Sequence, residues 1–217
     1  GSLSYTNAVE IFHEQAEGLK AGGVDVVWVE TISAANEFIA AAEAFSLANM
    51  EWCGTMSFDT AGRTMFGITA PELVDLISKI PNKPIAFGAN CGVGSSDMLR
   101  TILGFSATNN DIPIIAKGNA GIPEYKNGDI CYNGTPQLMG HYATLASDCG
   151  TTIIGGCCGT TPKHLRVMRE ALDNHIPGIQ PKLEAITKAL GEFSSSSDGT
   201  DGNAPTRKRR NSRNRRK

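Results

Sequence analysis

The sequence predicts an α/β protein built on a parallel sheet. Three observations carry that expectation. Apolar, β-branched runs alternate with segments of helical spacing, the connections are mostly short, and the Gly/Cys-rich stretches fall where strands end.

Residues 7–22 place apolar side chains at Val9, Ile11, Phe12, Ala16 and Leu19, a helical spacing that Gly22-Gly23 stops. Residues 24–29 form an apolar run with one Asp, the mark of a strand covered on both faces, ending in Glu30-Thr31. Ser33 caps a helix reaching about Asn49. Residues 52–58 are the next strand, and 71–80 a helix opened by Thr69 with Pro71-Glu72 in its first turn. A strand over 84–90 and a helix over 95–105 follow.

Residues 113–117 are a strand ending in Gly118-Asn119-Ala120-Gly121. A long loop, to which Cys131 is assigned, leads to a helix over 136–147. Residues 151–155 are the last strand, 162–174 its helix, and 181–190 one more short helix. Five strand–helix units fit either a doubly wound sheet or part of a (β/α)₈ barrel. The chain opens on a helix, as if it began inside a longer protein.

The 217 residues, 41% hydrophobic and 19% charged, suffice for one domain with a real core. The net charge of −2 conceals an asymmetry. Residues 194–217 hold eight Lys/Arg and two Asp, so residues 1–193 keep 12 Lys/Arg against 20 Asp/Glu. The reading is therefore an acidic domain over 1–193 and a tail over 194–217, Ser/Gly-rich and then Arg/Lys-rich, expected to be disordered. An acidic body excludes nucleic-acid binding as the work of the domain itself. The tail could contact nucleic acid or another anionic surface, although it carries no aromatic residue for stacking.

No apolar run is long enough to span a bilayer, and no signal peptide is evident, so the expectation is a cytoplasmic protein with no membrane partner. In that setting disulfides are disfavoured, and six cysteines gain weight as metal ligands or reactive groups. Cys53, inside a strand, and Cys149, ahead of the last one, read as core or free thiols.

Cys91 follows one strand, and Cys157 and Cys158 follow another, each set among glycines. An α/β protein keeps its chemistry at such strand ends. Three thiols arriving there suit a zinc site with one open coordination position. Adjacent cysteines can reach one ion only where the strand breaks into an irregular turn, which the flanking glycines permit. Such a site suits binding and alkylation of a substrate thiol. Unrelated core thiols, a Cys157–Cys158 disulfide switch and a phosphate cradle in the last Gly-rich turn are the other readings.

The segments Gly88-Ala89-Asn90-Cys91-Gly92 and Gly155-Gly156-Cys157-Cys158-Gly159-Thr160 resemble, in that order, the zinc signatures of the homocysteine S-methyltransferase family. That family includes betaine–homocysteine methyltransferase and the homocysteine domain of methionine synthase. Val29-Glu30-Thr31, Ser57-Phe58-Asp59 through Gly62-Arg63-Thr64, and Asn119-Ala120-Gly121-Ile122-Pro123 match its pattern too.

The resemblance implies a (β/α)₈ TIM barrel of which this chain carries roughly strands four to eight. The first three strands, and a Gly-rich homocysteine-binding segment, are expected to be absent. It implies Zn²⁺ at the mouth, held by Cys91, Cys157 and Cys158 as the catalytic centre. Glu30 would take the amino group of homocysteine, Asn119 would line the mouth, and Asn90 would orient the zinc loop from behind. Thr55 and Ser57 would face the barrel interior. His13, His141, His164 and His175 fall on helices or helix ends and are not expected as ligands.

The activity implied is zinc-dependent transfer of a methyl group to homocysteine, giving methionine. The donor would be a small methyl-onium compound such as betaine, or a methylated cofactor on a partner. Self-association is a further expectation, with the basic tail against the acidic body of a neighbouring subunit. The rival reading is a catalytically incomplete zinc-binding barrel fragment.

Overall fold

The computed structural model describes residues 3–108, 110–126 and 128–200. The elements in chain order are α1 (Tyr5–Ala21), β1 (Val26–Ile32), α2 (Ala35–Leu47), β2 (Glu51–Met56), α3 (Ala70–Lys79), β3 (Ala86–Cys91) and α4 (Ser95–Ser106). There follow β4 (Ile114–Gly118), β5 (Pro123–Lys126), β6 (Asp129–Tyr132), α5 (Pro136–Asp148), β7 (Ile153–Gly156), α6 (Pro162–Asp173) and α7 (Leu183–Leu190). Five strands form a parallel sheet in the order β1-β2-β3-β4-β7.

Side-chain alternation separates the two faces of this sheet. Val27, Val29, Trp52, Met56, Phe87, Ala89, Ile114 and Ala116 join one cluster with Phe38 and Phe45 of α2, Leu73 and Ile77 of α3, and Leu99, Ile102 and Phe105 of α4. Phe38 and Phe45 both pack on the fully buried Trp52, with ring centroids 5.4 and 5.7 Å away. The opposite face carries Cys53, Ala86 and Ile115, backed by Val26 and Ile153, all of them strand residues. The main core thus lies between the sheet and helices on a single face. That is the wall of a barrel, whereas a doubly wound sheet carries helices on both faces. The fold is α/β, a five-stranded part of a TIM-like barrel.

Some helix starts follow their sequence signals and others do not: α2 is entered through Ala34 with no side-chain cap, so Ser33 does not cap it, and α1 begins at Tyr5 behind Ser4, two residues before the expected start. Thr69 and Glu72 form a capping box in front of α3, with Pro71 in its first turn. Thr135 caps α5 through the N–H of Leu138. The expected long loop after β4 holds a difference: it contains the antiparallel hairpin β5–β6. Lys126 pairs with Asp129 across a two-residue connection in which Gly128 has φ of 98°. An Asn-Gly pair between short strands is the signal for such a turn. Cys131 therefore lies in a strand, not in a loop.

Residues 194–200, the start of the segment expected to be disordered, make defined contacts with α4. The N–H of Ser194 donates to Asp97 Oδ2 at 3.0 Å, and Arg100 Nη1 donates to the carbonyl of Ser195 at 2.8 Å. Arg100 also pairs with Asp97 and lies 4.4 Å from the Phe193 ring centroid. The basic run from Arg207 to Lys217 lies outside the described residues. Among the described residues, no helix is long and apolar enough to cross a membrane.

Candidate metal centre

β3 and β7 both flank β4, so their carboxyl ends, and the cysteines that follow, meet beside it. Cys91 ends β3 with φ of 61°, and Gly92 continues at 75°. Two left-handed residues in succession turn the chain sharply, and at Cys91 that conformation is uncommon for a side-chain-bearing residue. β7 stops at Gly156. Beyond it the N–H of Cys157 donates to the carbonyl of Gly118 at 2.8 Å, and that of Cys158 to Asn119 Oδ1 at 3.0 Å. The sheet alternation ends there, and both adjacent thiols turn to the same side.

The Cys91 and Cys158 sulfurs lie 3.8 Å apart, and those of Cys157 and Cys158 4.0 Å apart. All three sulfurs fall within 4.8 Å of one another. Zn–S bonds of about 2.3 Å arranged tetrahedrally put sulfurs about 3.8 Å apart, so the donor set fits a zinc ion with its fourth position open. Among the described residues this is the one His/Cys/Asp/Glu group with such convergence. Burial, followed by the neighbouring Cys157 and Cys158 thiols, pushes the Cys91 thiol up to about 11. A cation held by the cluster would offset that cost for the Cys91 thiolate.

All six cysteines are free, so Cys157 and Cys158 form no disulfide. Cys53 and Cys149 are buried apart from the cluster, and burial pushes Cys149 up to about 12.

Two asparagines frame the thiols. Asn119, 1% exposed, accepts from Cys158 N through Oδ1 and donates through Nδ2 to the carbonyl of Gly92 at 2.9 Å. One side chain ties the Cys91 loop to the Cys158 loop. Asn90 is fully buried. Its Oδ1 accepts from the Thr31 N–H at 2.8 Å and the Thr55 hydroxyl at 2.7 Å. Its Nδ2 donates to Thr31 Oγ1 at 2.7 Å and points at Cys157 Sγ, 3.8 Å away. These bonds hold Thr31 at φ of 64°, a costly conformation for a β-branched residue. Thr55 and Ser57 are buried, Thr55 on the inner face with Asn90.

Glu30 lies on the inner face and forms an ion pair with Lys117 of β4. The sequence offered no sign of that pair, because its members are separated by 87 positions. Tyr132 of β6 was missed too. Its side chain packs against Gly159 beside Cys158, and burial followed by the neighbouring Cys158 thiol raises its pKa. A Cβ on Gly159 would come within 2.4 Å of the Tyr132 side chain, so glycine is needed for the hairpin to reach the thiols. The histidines stay away from the sulfurs: His164, for one, caps α6 through Thr161 and lies 2.9 Å from the Gly134 carbonyl.

A barrel wall with three thiols converging at the carboxyl ends of its strands defines a barrel-type α/β protein whose strand ends carry a thiol cluster that could hold a soft metal. Residues 1–172 match the homocysteine S-methyltransferase family, and the chain belongs to it. Among solved structures it is similar to the homocysteine methyltransferase MmuM from Escherichia coli. The apo form is 19% identical with a TM-score of 0.64, and the match covers 78% of this chain and 58% of that one. The oxidized form is 22% identical with a TM-score of 0.60, covering 75% and 52%. At these identities the likeness establishes the fold, and the chain spans little more than half the length of those structures.

Proposed function

We propose that the chain is a zinc-dependent homocysteine S-methyltransferase, with Cys91, Cys157 and Cys158 as the zinc ligands. The observation that carries this reading is the three-sulfur cluster, spaced for tetrahedral zinc, in a member of that family. Bound there, zinc supplies the positive charge that lets a substrate thiol ionise near neutral pH and remain nucleophilic. The chain's own residues do the rest. Asn119 and Asn90 fix the two cysteine loops from behind, and Glu30 offers a carboxylate to the amino group of homocysteine. The Tyr132 phenol covers Cys158 from the side of the hairpin.

In the transfer, homocysteine sulfur forms the new S–CH₃ bond as the donor's onium–CH₃ bond breaks. The donor departs with that electron pair, and the thiol proton passes to solvent. A methyl-onium compound such as betaine fits this balance because it leaves neutral at the onium atom. The test is methionine formation by the zinc-loaded chain with homocysteine and a panel of methyl-onium donors. Turnover with one donor that Cys157→Ala abolishes supports the reading. A loaded chain that leaves every donor untouched contradicts it.

A further inference from the structure

The inner face of the sheet holds a second chemical feature just below the thiols. β4 reads Ile114-Ile115-Ala116-Lys117-Gly118, an apolar strand with one cation. Lys117 stands in register with Asn90 on β3 and Gly155 on β7, and the next register step joins Cys91, Gly118 and Gly156. A Cβ on Gly155 would touch Lys117 Cγ at 3.4 Å, so the lysine stem occupies the space that glycine leaves. Its ammonium pairs with Glu30 and sits 5.1 Å from the Trp28 ring centroid. The Lys117 and Glu30 side chains are 23% and 44% exposed, so the pair is open to a ligand.

Stability gives little reason for this arrangement, because a partly solvent-exposed ion pair contributes little to folding. Recognition gives a better one. An ammonium has three donors and a carboxylate about four acceptor sites, so each partner keeps capacity after pairing. Together they present a positive and a negative group side by side, the complement of an amino-acid zwitterion. Trp28 holds the ammonium from its apolar side through a cation–π contact.

We propose that Lys117 is a specificity-determining residue: with Glu30 it takes the zwitterionic head of an α-amino-acid thiol, the substrate carboxylate lying on Lys117 and the substrate ammonium on Glu30. This rests on the thiol-methylation reading and deepens it. The short register step from Lys117 to the cysteine-bearing strand ends matches a substrate with few carbons between head and sulfur. A charge-neutral pair meeting a charge-neutral zwitterion leaves no buried charge uncompensated. The pair selects amino-acid thiols over simple thiols, thiol acids and thiol amines.

The test is calorimetric binding to the zinc-loaded chain, comparing homocysteine, its decarboxylated analogue aminopropanethiol, and norleucine, which has the head without the sulfur. Loss of one charge-assisted hydrogen bond corresponds to a roughly 10- to 100-fold change in affinity. Lys117→Met is expected to weaken homocysteine and norleucine by that factor and to leave aminopropanethiol within about twofold. Lys117→Arg is expected to restore most of the loss. Unchanged or tighter homocysteine binding in Lys117→Met overturns the proposal, tighter binding meaning that Lys117 competes with substrate for Glu30. Equal weakening of both thiols, or no norleucine binding to the unmutated chain, overturns it too. If neither thiol binds while norleucine binds and depends on Lys117, the thiol reading fails and the head clamp stands.

Discussion

Asn119 and Cys158 are joined by a 3.0 Å hydrogen bond from the Cys158 backbone N–H to the buried side-chain oxygen. The nitrogen end of the same amide holds the Gly92 carbonyl, so the spacing of two cysteine loops is set by one residue. Asn119→Ala strands a donor and an acceptor, each costing about 1–3 kcal/mol where solvent cannot replace the bond. Removing such support behind metal ligands typically lowers metal affinity about 10- to 100-fold. Chelator competition on Asn119→Ala should show that loss while circular dichroism stays native. Unchanged affinity would mean that the loops hold themselves.

Asp97 and Arg100 form an ion pair that is 8% and 7% exposed by side chain, and both bind the segment after α7. Asp97→Ala leaves a buried guanidinium without its partner, which typically costs about 3–5 kcal/mol. Urea unfolding should register that loss. The double change Asp97→Leu with Arg100→Met should recover a large part of it, because no buried charge then remains.

Glu72 closes the α3 capping box, accepting from the backbone N–H and the hydroxyl of Thr69. The backbone bond, then the hydroxyl, holds its carboxyl below the usual range. A folded value below the unfolded one means that stability is present above the unfolded value, about 4.3. It is lost as pH falls through the folded value. Glu72→Gln should therefore be less stable than the parent at pH 6–7, with the gap closing in acid. A gap that widens in acid would contradict the cap.

Much of the fold was legible because barrel strands and helices carry their own periodicity. The β-branched run before Gly155-Gly156 and the capping pattern of Thr69 with Glu72 are local signals, and each formed where expected. The convergence of Cys91, Cys157 and Cys158 was legible because each follows a parallel strand among glycines, and parallel strands bring their carboxyl ends to one side. Lys117 and Tyr132 were not. Each meets the site through a contact that depends on strand order and on an extra hairpin, neither of which leaves a periodic trace. The packing of residues 194–200 escaped for a related reason: polar, Ser-rich composition conceals backbone groups that can satisfy a buried Asp–Arg pair.

The thiols should divide by environment. Cys131 and Cys158 are exposed and should react first with an alkylating agent in the metal-free chain, whereas Cys53 and Cys149 are buried and burial raises both. Mass mapping after brief alkylation should leave Cys53 and Cys149 unmodified until denaturant is added. Rapid labelling of Cys149 would show that α5 opens readily.

The most direct measurement is zinc content per chain, made together with a map of the cysteines that zinc protects from alkylation. The account predicts one zinc per chain and protection of Cys91, Cys157 and Cys158 together. Cys149→Ala should retain the ion, and Cys91→Ala and Cys157→Ala should lose it. Absence of bound zinc with all three cluster thiols reactive, or equal zinc loss in all three variants, would contradict the three-thiol centre.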